Sequence, residues 1–277
     1  MTAQGTALKY DFGPDEEEIH RLTIQHEILK SAYSPLILAP IDLTKPGLKI
    51  LDSATSDGLW LRDVQADIAT PHSLIGTDIN PKFFPRTPTD NITFKVQDIT
   101  KPWPAELTGQ FDLVHSRNGL AGCGSFPISE AVKNLVGLVK PGGWIQLVEM
   151  SFQGVTETSG PMFEFKSLLD AFFSKAKAQW NYTDQLEGWL VEAGLEDVEA
   201  KIAQLPYGKA SDNEEIAKKS LYSFKLGSIA VCGAAKAMGV DVFTSEQLNS
   251  LPERLEKYLA ENGTKVPVVC VWGRKPL

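Results

Sequence analysis

The stretch Ile50-Leu-Asp-Ser-Ala-Thr-Ser-Asp-Gly-Leu-Trp60 decides the fold. The apolar run from Leu48 to Leu51 reads as a short strand and Asp52 closes it. Small residues continue to Gly58, and a helical stretch runs from Leu59 to Ile68. Small side chains between a strand and a helix let backbone N–H groups and the helix N-terminus approach a ligand with no Cβ in the way. Neither the dinucleotide fingerprint G-x-G-x-x-G nor a Walker loop is present. Asp52 and Asp57 would also repel a phosphate. The loop therefore reads as a seat for something other than a nicotinamide dinucleotide or a nucleoside triphosphate.

The same rhythm continues outward. Residues 73–77 form a second strand ending at Asp78, 92–96 a third ending at Gln97-Asp98, and 111–115 a fourth. An amphipathic helix spans 128–139, the pair Gly142-Gly143 breaks it, and 144–150 is again a strand. Strand, turn and helix at this spacing imply βαβ units and a mainly parallel sheet, which binds ligands beyond the carboxyl ends of its strands. Upstream, residues 1–13 read as a polar arm and 14–38 as a helix, with Pro14 at its first position and acids in its first turn. Downstream, helices are predicted at 161–179, at 183–193 closed by Gly194, at 213–238 and at 245–262. Strands are predicted at 198–205 and 266–272. No repeat or linker interrupts the chain. The expectation is a single domain over 1–277: a helical arm (1–45), a ligand-binding half (46–150), and a C-terminal half (151–277) whose helices cover one sheet edge.

The 277 residues are 43% apolar and 22% charged, an ordinary globular balance that excludes a disordered or fibrous chain. Lys and Arg number 27 against 35 Asp and Glu, a net charge of −8 with no basic patch, which disfavours nucleic acid as a partner. The three cysteines, Cys123, Cys232 and Cys270, are too few and too widely spaced for a disulfide framework or a zinc site, so no metal is expected. Cys123 reads as inert. Residues 1–10 carry no apolar signal segment, and no run approaches the ~18 apolar residues of a membrane span. A soluble, cytoplasmic protein with a small-molecule substrate and no membrane partner is expected. The helical arm leaves a homodimer open.

Polar groups recur just after the strands: Asp78, Gln97-Asp98-Ile99, and Ser116-Arg117-Asn118. A carboxylate at the end of the second strand suits two ribose hydroxyls. Together these groups suit a nucleoside without a phosphate chain, and S-adenosylmethionine fits that description. The loop Asp52 to Trp60 resembles the D-x-A/G-T-G-T-G-I-W segment of class I S-adenosylmethionine-dependent methyltransferases, more closely their fungal LaeA-like group. Tyr10 to Asp15, Arg21-Leu-Thr-Ile-Gln-His26, Gly76 to Pro81, Pro102-Trp103, Phe111 to Arg117 and Val139 to Glu149 are similar to further motifs of that group, in the same order. The likeness covers about residues 10–150; at two loop positions where the group places glycine this chain has Ala54, which is common among its members, and Ser56, which is less so.

The resemblance implies a Rossmann-like α/β fold: a mainly parallel seven-stranded sheet with helices on both faces, a helical cover, and 266–272 as its antiparallel last strand. It implies S-adenosylmethionine held by Asp52, Ala54, Ser56, Gly58 and Trp60, by Asp78 and Ile79, by Asp98 and Ile99 at the adenine, and by Ser116 and Arg117. The expected reaction is methyl transfer to an oxygen, nitrogen or sulfur of a small molecule, a fungal secondary metabolite. His26, His115 and Glu149 are the candidates to take a proton. Tyr10, Gln25, Asn118, Phe163 and Phe173 are the candidates for substrate contact. The bland readings stand beside these: a packed His26, a buried His115, and phenylalanines that merely fill the core. Two other functions remain open, a non-methylating cyclisation on the same fold and a LaeA-like regulatory role.

Overall fold

The computed structural model describes residues 4–8, 15–68, 72–87 and 91–277. Tyr10 and Pro14 lie outside the described residues. After helix α1 (Asp15–Ala32) come β1 (Lys49–Ser53), α2 (Leu59–Asp67), β2 (Ser73–Asp78), β3 (Ile92–Val96), β4 (Phe111–Arg117), α3 (Ile128–Leu138) and β5 (Val139–Met150). The second half holds α4 (Gly160–Lys175), α5 (Leu186–Glu192), β6 (Glu196–Tyr207), α6 (Glu214–Ala237), α7 (Ser245–Glu261) and β7 (Thr264–Arg274).

All seven strands join one sheet in the order β3-β2-β1-β4-β5-β7-β6. The first five are parallel, and β7 runs antiparallel between β5 and β6. The fold is Rossmann-like, as expected. Successive side chains of a strand point to opposite faces, and here both faces are covered. Ile50, Leu113 and Val148 pack with α1, α2 and the α4, α6 and α7 group. Their strand neighbours Leu51, Val114 and Leu147 pack with α3 and α5. That double burial explains why the strands read as nearly continuous apolar runs.

Local signals set most element ends. Gly58, at φ 78°, occupies a left-handed position just before α2, where an L side chain is strained. Gly194, at φ 84°, closes α5 as predicted. Asn213 caps α6, its side chain accepting from the Glu215 and Ile216 amides.

Other boundaries differ from expectation. Helix α1 stops at Ala32 and not at residue 38, because Pro35 disfavours helical backbone at the residue before it. Strand β5 begins at Val139, before the glycine pair, with Val139 already in register with Phe111. Helices α4 and α5 are shorter than the periodicity suggested.

Candidate active site

The carboxyl ends of β1 to β5 open into one cavity of about 910 Å³. Its floor is the 52–57 loop, Asp78 to Asn80, Gln97 to Ile99, Arg117 to Gly119, and Glu149 with Met150. Its roof comes from α1, α4, α6 and the 180–182 segment. Leu8 closes one side, tied by its amide to the Gly122 carbonyl (2.9 Å).

The loop after β1 is held from both sides. Asp52 is buried; its Oδ2 accepts from the Thr55 hydroxyl (2.7 Å) and its Oδ1 meets His115 Nδ1 (2.7 Å). The Ser56 amide donates to Asp78 Oδ2 and the Asn80 amide to Asp78 Oδ1, both at 2.9 Å. Burial raises the pKa of Asp78, and the nearby Asp52 charge adds to the rise. A carboxylate has about four acceptor sites, so Asp78 keeps capacity toward the cavity. Ala54 and Ser56 have φ of 59° and 53°. This left-handed backbone favours glycine; here two small L residues bear the strain, about 1 kcal/mol or more each. The Asp57 charge is compensated within the loop. Its carboxylate is paired with Arg62 (2.6 Å) and its carbonyl accepts from the same guanidinium.

At the third strand end Asp98 Oδ1 accepts from the Thr100 amide and hydroxyl (2.8 and 2.7 Å), placing Asp98 and Ile99 on the cavity wall. Ile79 is half-exposed beside them and offers an apolar platform. Asn118 holds β5 through Oδ1 to the Met150 amide (3.0 Å), while its buried Nδ2 lacks a partner among the described residues. Gln25 Nε2 donates to Met150 Sδ (3.6 Å).

Several sequence expectations need correction. His115 does not reach the cavity. It lies beneath Trp60, stacked at 3.7 Å between centroids and 4° between planes, and burial lowers its pKa. It supports Asp52 from below and has no route to a substrate. Ser116 also misses the cavity: strand alternation turns it away from the side that Arg117 faces, and it is fully buried behind Gly119. Gly58 shapes the loop without lining the site; a Cβ there would meet the Phe94 ring at 2.6 Å. Phe163 points outward from α4, 44% exposed, two residues and so about half a turn from the inward Phe165.

His26 lines the cavity yet has no free nitrogen for a proton. Its Nδ1 accepts from Arg117 (2.8 Å) and its Nε2–H donates to Asp63 (2.9 Å). Burial, reinforced by the Arg117 charge, pushes its pKa down to about 4. Glu149 is the titratable wall group in the opposite situation. It is 1% exposed, its Oε1 accepts from the Gly119 and Leu120 amides (3.2 Å each), and its Oε2 accepts from the Tyr182 hydroxyl (2.8 Å). Burial pushes its pKa up to about 7.

The roof was only partly legible from sequence. Phe173 stacks on Trp180 at 4.8 Å and 11°, and Phe152 lies nearly parallel to the same indole at 6.1 Å and 20°. Phe165, Phe224 and Tyr207 complete an aromatic wall. Between residues 152 and 231 the cavity lining contains no charged side chain. Phe152, Tyr207 and Phe224 gave no sequence signal, because they converge from a short turn, an edge strand and a distant helix. The buried Glu18–Arg21 pair of α1, bidentate at 2.7 Å, joins them at the margin.

The strand ends thus offer carboxylates, amides and an apolar shelf to a nucleoside, and the loop admits it closely. Among the described residues no His, Cys, Asp and Glu cluster suits a metal, and no helix is long and apolar enough to cross a membrane. No protein-family model matches the chain. The N-methyltransferase sirN of Leptosphaeria maculans is 37% identical over 277 residues, spanning 95% of this chain and 93% of that protein. The N-methyltransferase tcpN of Claviceps purpurea is 33% identical over 270 residues, spanning 94% and 95%. The fold is similar to that of a Haemonchus contortus phosphoethanolamine N-methyltransferase in complex with S-adenosyl-L-methionine. The TM-score is 0.53 at 15% identity, over 95% of this chain and 58% of that one.

Proposed function

The chain belongs to the S-adenosylmethionine-dependent methyltransferases, and from that premise we propose that it methylates a nitrogen of an uncharged, largely flat small molecule of fungal secondary metabolism. The observation that carries this reading is the division of one cavity into a polar floor at the strand ends and an aromatic roof whose charged side chains, Glu18 and Arg21, are paired with each other. The nitrogen rests on the N-methyltransferases among the relatives. The motif order supports a place in the LaeA-like group, and the one sheet that takes in strands from both halves supports a single domain over 1–277. The α1 arm is the surface we propose for any homodimer.

In this reading Asp78 takes the ribose hydroxyls, Asp98, Ile79 and Ile99 hold the adenine, and the 52–57 loop lies along the sulfur-bearing arm. Arg117 and Asn118 face the amino-acid end, with Gln25 beside them. Trp60 supports the loop from beneath. When bound, the cofactor supplies an electrophilic methyl group on a sulfonium centre. The protein's task is then mainly alignment. Phe173, Trp180, Phe152 and Phe224 press a flat acceptor toward the strand ends and exclude water. Glu149, through the Tyr182 hydroxyl, takes the proton that the acceptor nitrogen loses; a pKa near 7 suits that exchange at neutral pH.

The test begins with calorimetric titration of S-adenosylhomocysteine. The protein is then incubated with S-adenosylmethionine and two panels, uncharged aromatic amides and indoles in one and alkylammonium amines in the other. Mass spectrometry would find products one methylene heavier, N-methylated by NMR, in the first panel. Methylation confined to the charged amines, or no cofactor binding, overturns the reading.

A further inference from the structure

Tyr207 ends β6, on the far side of the cavity from the acids of β2 and β3. Those two strands lie at one edge of the sheet and β6 at the other. Strands β5 and β6 both run antiparallel to β7, so their carboxyl ends share one end of the sheet. Met150 and Ala203 both pair with Val268, and Tyr207 lies beyond that row, level with Thr264. With a rise of about 3.3 Å per residue and strands about 4.8 Å apart, it stands about 13 Å above Met150 and about 10 Å to one side. A nucleoside seated at Asp78 and Asp98 occupies the opposite half of the sheet. What reaches Tyr207 belongs to the acceptor.

Tyr207 is 3% exposed and lines the cavity, and its hydroxyl has no hydrogen-bond partner among the described residues. Buried tyrosine hydroxyls usually find a partner, because an unpaired one is destabilising. The ring is pinned edge-on against Phe224, 5.2 Å between centroids. Ser223, the chain neighbour of Phe224, is in the same state. It is buried, it lines the cavity, and its hydroxyl too lacks a partner among the described residues. The neighbouring buried serines of α6 are satisfied. Ser220 Oγ donates to the Ala217 carbonyl (2.7 Å) and accepts from the Gly208 amide (2.8 Å), and Ser228 Oγ donates to the Lys225 carbonyl (2.7 Å). Such back-bonding is the ordinary arrangement for a serine inside a helix. Ser223 departs from it on the cavity wall.

Helix α1 brings charge to this corner. His20 packs on Tyr222 and Glu27 pairs with Lys219, so α1 and α6 run antiparallel. Glu18 and Arg21 therefore lie level with the 223–227 stretch of α6. They bind each other through two 2.7 Å hydrogen bonds, which balances their charge. The Arg21 end of the pair is the one felt by Tyr207: burial pushes the phenol pKa up, and the Arg21 charge pulls against it. A cation beside a phenol makes the hydroxyl a stronger donor. Two hydroxyl donors suit one oxygen with two lone pairs, which a carbonyl provides. A methylene offers nothing to either hydroxyl, and an ammonium would leave both without an acceptor.

We propose that Tyr207 and Ser223 form a substrate-recognition site whose two hydroxyls donate to a carbonyl oxygen of the acceptor, so that this cavity selects carbonyl compounds over their reduced analogues. The proposal deepens the function above by naming the substrate class of the same cavity, and it rests on that reading for the place of the cofactor. The two residues select and orient the acceptor; they take no proton from it.

Four probes that are uncharged at pH 8 test this in matched pairs, oxindole with indoline and acetanilide with N-ethylaniline. Each pair keeps its aromatic ring and its N–H and exchanges a carbonyl for a methylene. Dissociation constants are measured by NMR titration of the full chain loaded with S-adenosylhomocysteine, and of Tyr207→Phe and Ser223→Ala, with thermal unfolding of each variant to confirm folding. The native protein binds the carbonyl member of each pair about tenfold more tightly. Tyr207→Phe keeps the ring on Phe224 and reduces that preference to about twofold or less, and Ser223→Ala reduces it about threefold. The methylene members bind all three proteins within about twofold of one another. Absence of a preference in the native protein, or of binding by either member, overturns the proposal. So does a preference that survives Tyr207→Phe, and an equal loss for both members of a pair reduces Tyr207 to packing and overturns it too. Incubation with S-adenosylmethionine separates the two readings. Methylated probes without a hydroxyl-dependent preference overturn this proposal alone. A hydroxyl-dependent preference, with methylation confined to charged amines, supports the carbonyl site and overturns the proposed reaction.

Discussion

Glu149→Gln separates burial from chemistry in a single residue. Glu149 is 1% exposed and its pKa rises from 4.5 to about 7 through burial, the Tyr182, Leu120 and Gly119 hydrogen bonds offsetting only part of the rise. Below pH 4.5 the carboxyl is protonated in both folded and unfolded chains. Between 4.5 and about 7 the folded protein holds a proton that the unfolded chain releases. Stability is therefore lost as pH rises through that window and is flat above it. At 1.36 kcal/mol per pH unit the loss is about 3 kcal/mol. A glutamine keeps the geometry: its oxygen accepts from the Gly119 and Leu120 amides, and its NH₂ faces the Tyr182 oxygen. The variant should match the native protein near pH 4.5 and exceed its stability by about 3 kcal/mol at pH 8. Urea unfolding of both proteins at half-unit pH steps measures the difference, and groups unchanged between them cancel. In the same variant turnover should fall about 100-fold or more while S-adenosylhomocysteine affinity holds, because the proton acceptor is gone. Parallel stability curves for the two proteins would refute the burial argument. Full turnover in a more stable variant would leave Glu149 as a pin for the 118–120 loop.

Asp78→Ala leaves the Ser56 and Asn80 amides unpaired, at about 1–3 kcal/mol each. Calorimetry should show S-adenosylhomocysteine binding lost, and a change below threefold would remove Asp78 from the ribose. Trp180→Ala opens the aromatic stack with Phe173 and Phe152. Steady-state kinetics should give an acceptor KM raised about tenfold at unchanged cofactor affinity, and an unchanged KM would move the acceptor away from this wall. Cys123, Cys232 and Cys270 are buried, with thiols pushed up by burial to about 12, 11 and 12. A chromogenic disulfide reagent should label none of them in the native protein and all of them in denaturant. Rapid labelling at native pH contradicts that burial.

The sequence by itself determined the local grammar. Residues 92–96 formed a strand with the predicted bounds, Asn213 and Gly194 marked helix ends, and the acids at the carboxyl ends of β1 and β2 reached the cavity. These features depend on periodicity, backbone preference and the fixed polarity of a parallel sheet, which act over a few residues. The left-handed backbone at Ala54 and Ser56 was foreshadowed by the glycines of the resembled family but not by the residues themselves. Only the tertiary structure decided what each polar group does. His26 and His115 carry the same side chain, yet one bridges Arg117 and Asp63 while the other is stacked under Trp60. Glu149 acquires its raised pKa from complete burial, against the opposing pull of a hydrogen bond from a tyrosine 33 positions away. The aromatic roof exists because a turn, two helices and an edge strand meet over the sheet. Proton affinity, tautomer and access depend on partners and solvent, which helix and sheet packing sets across long stretches of chain.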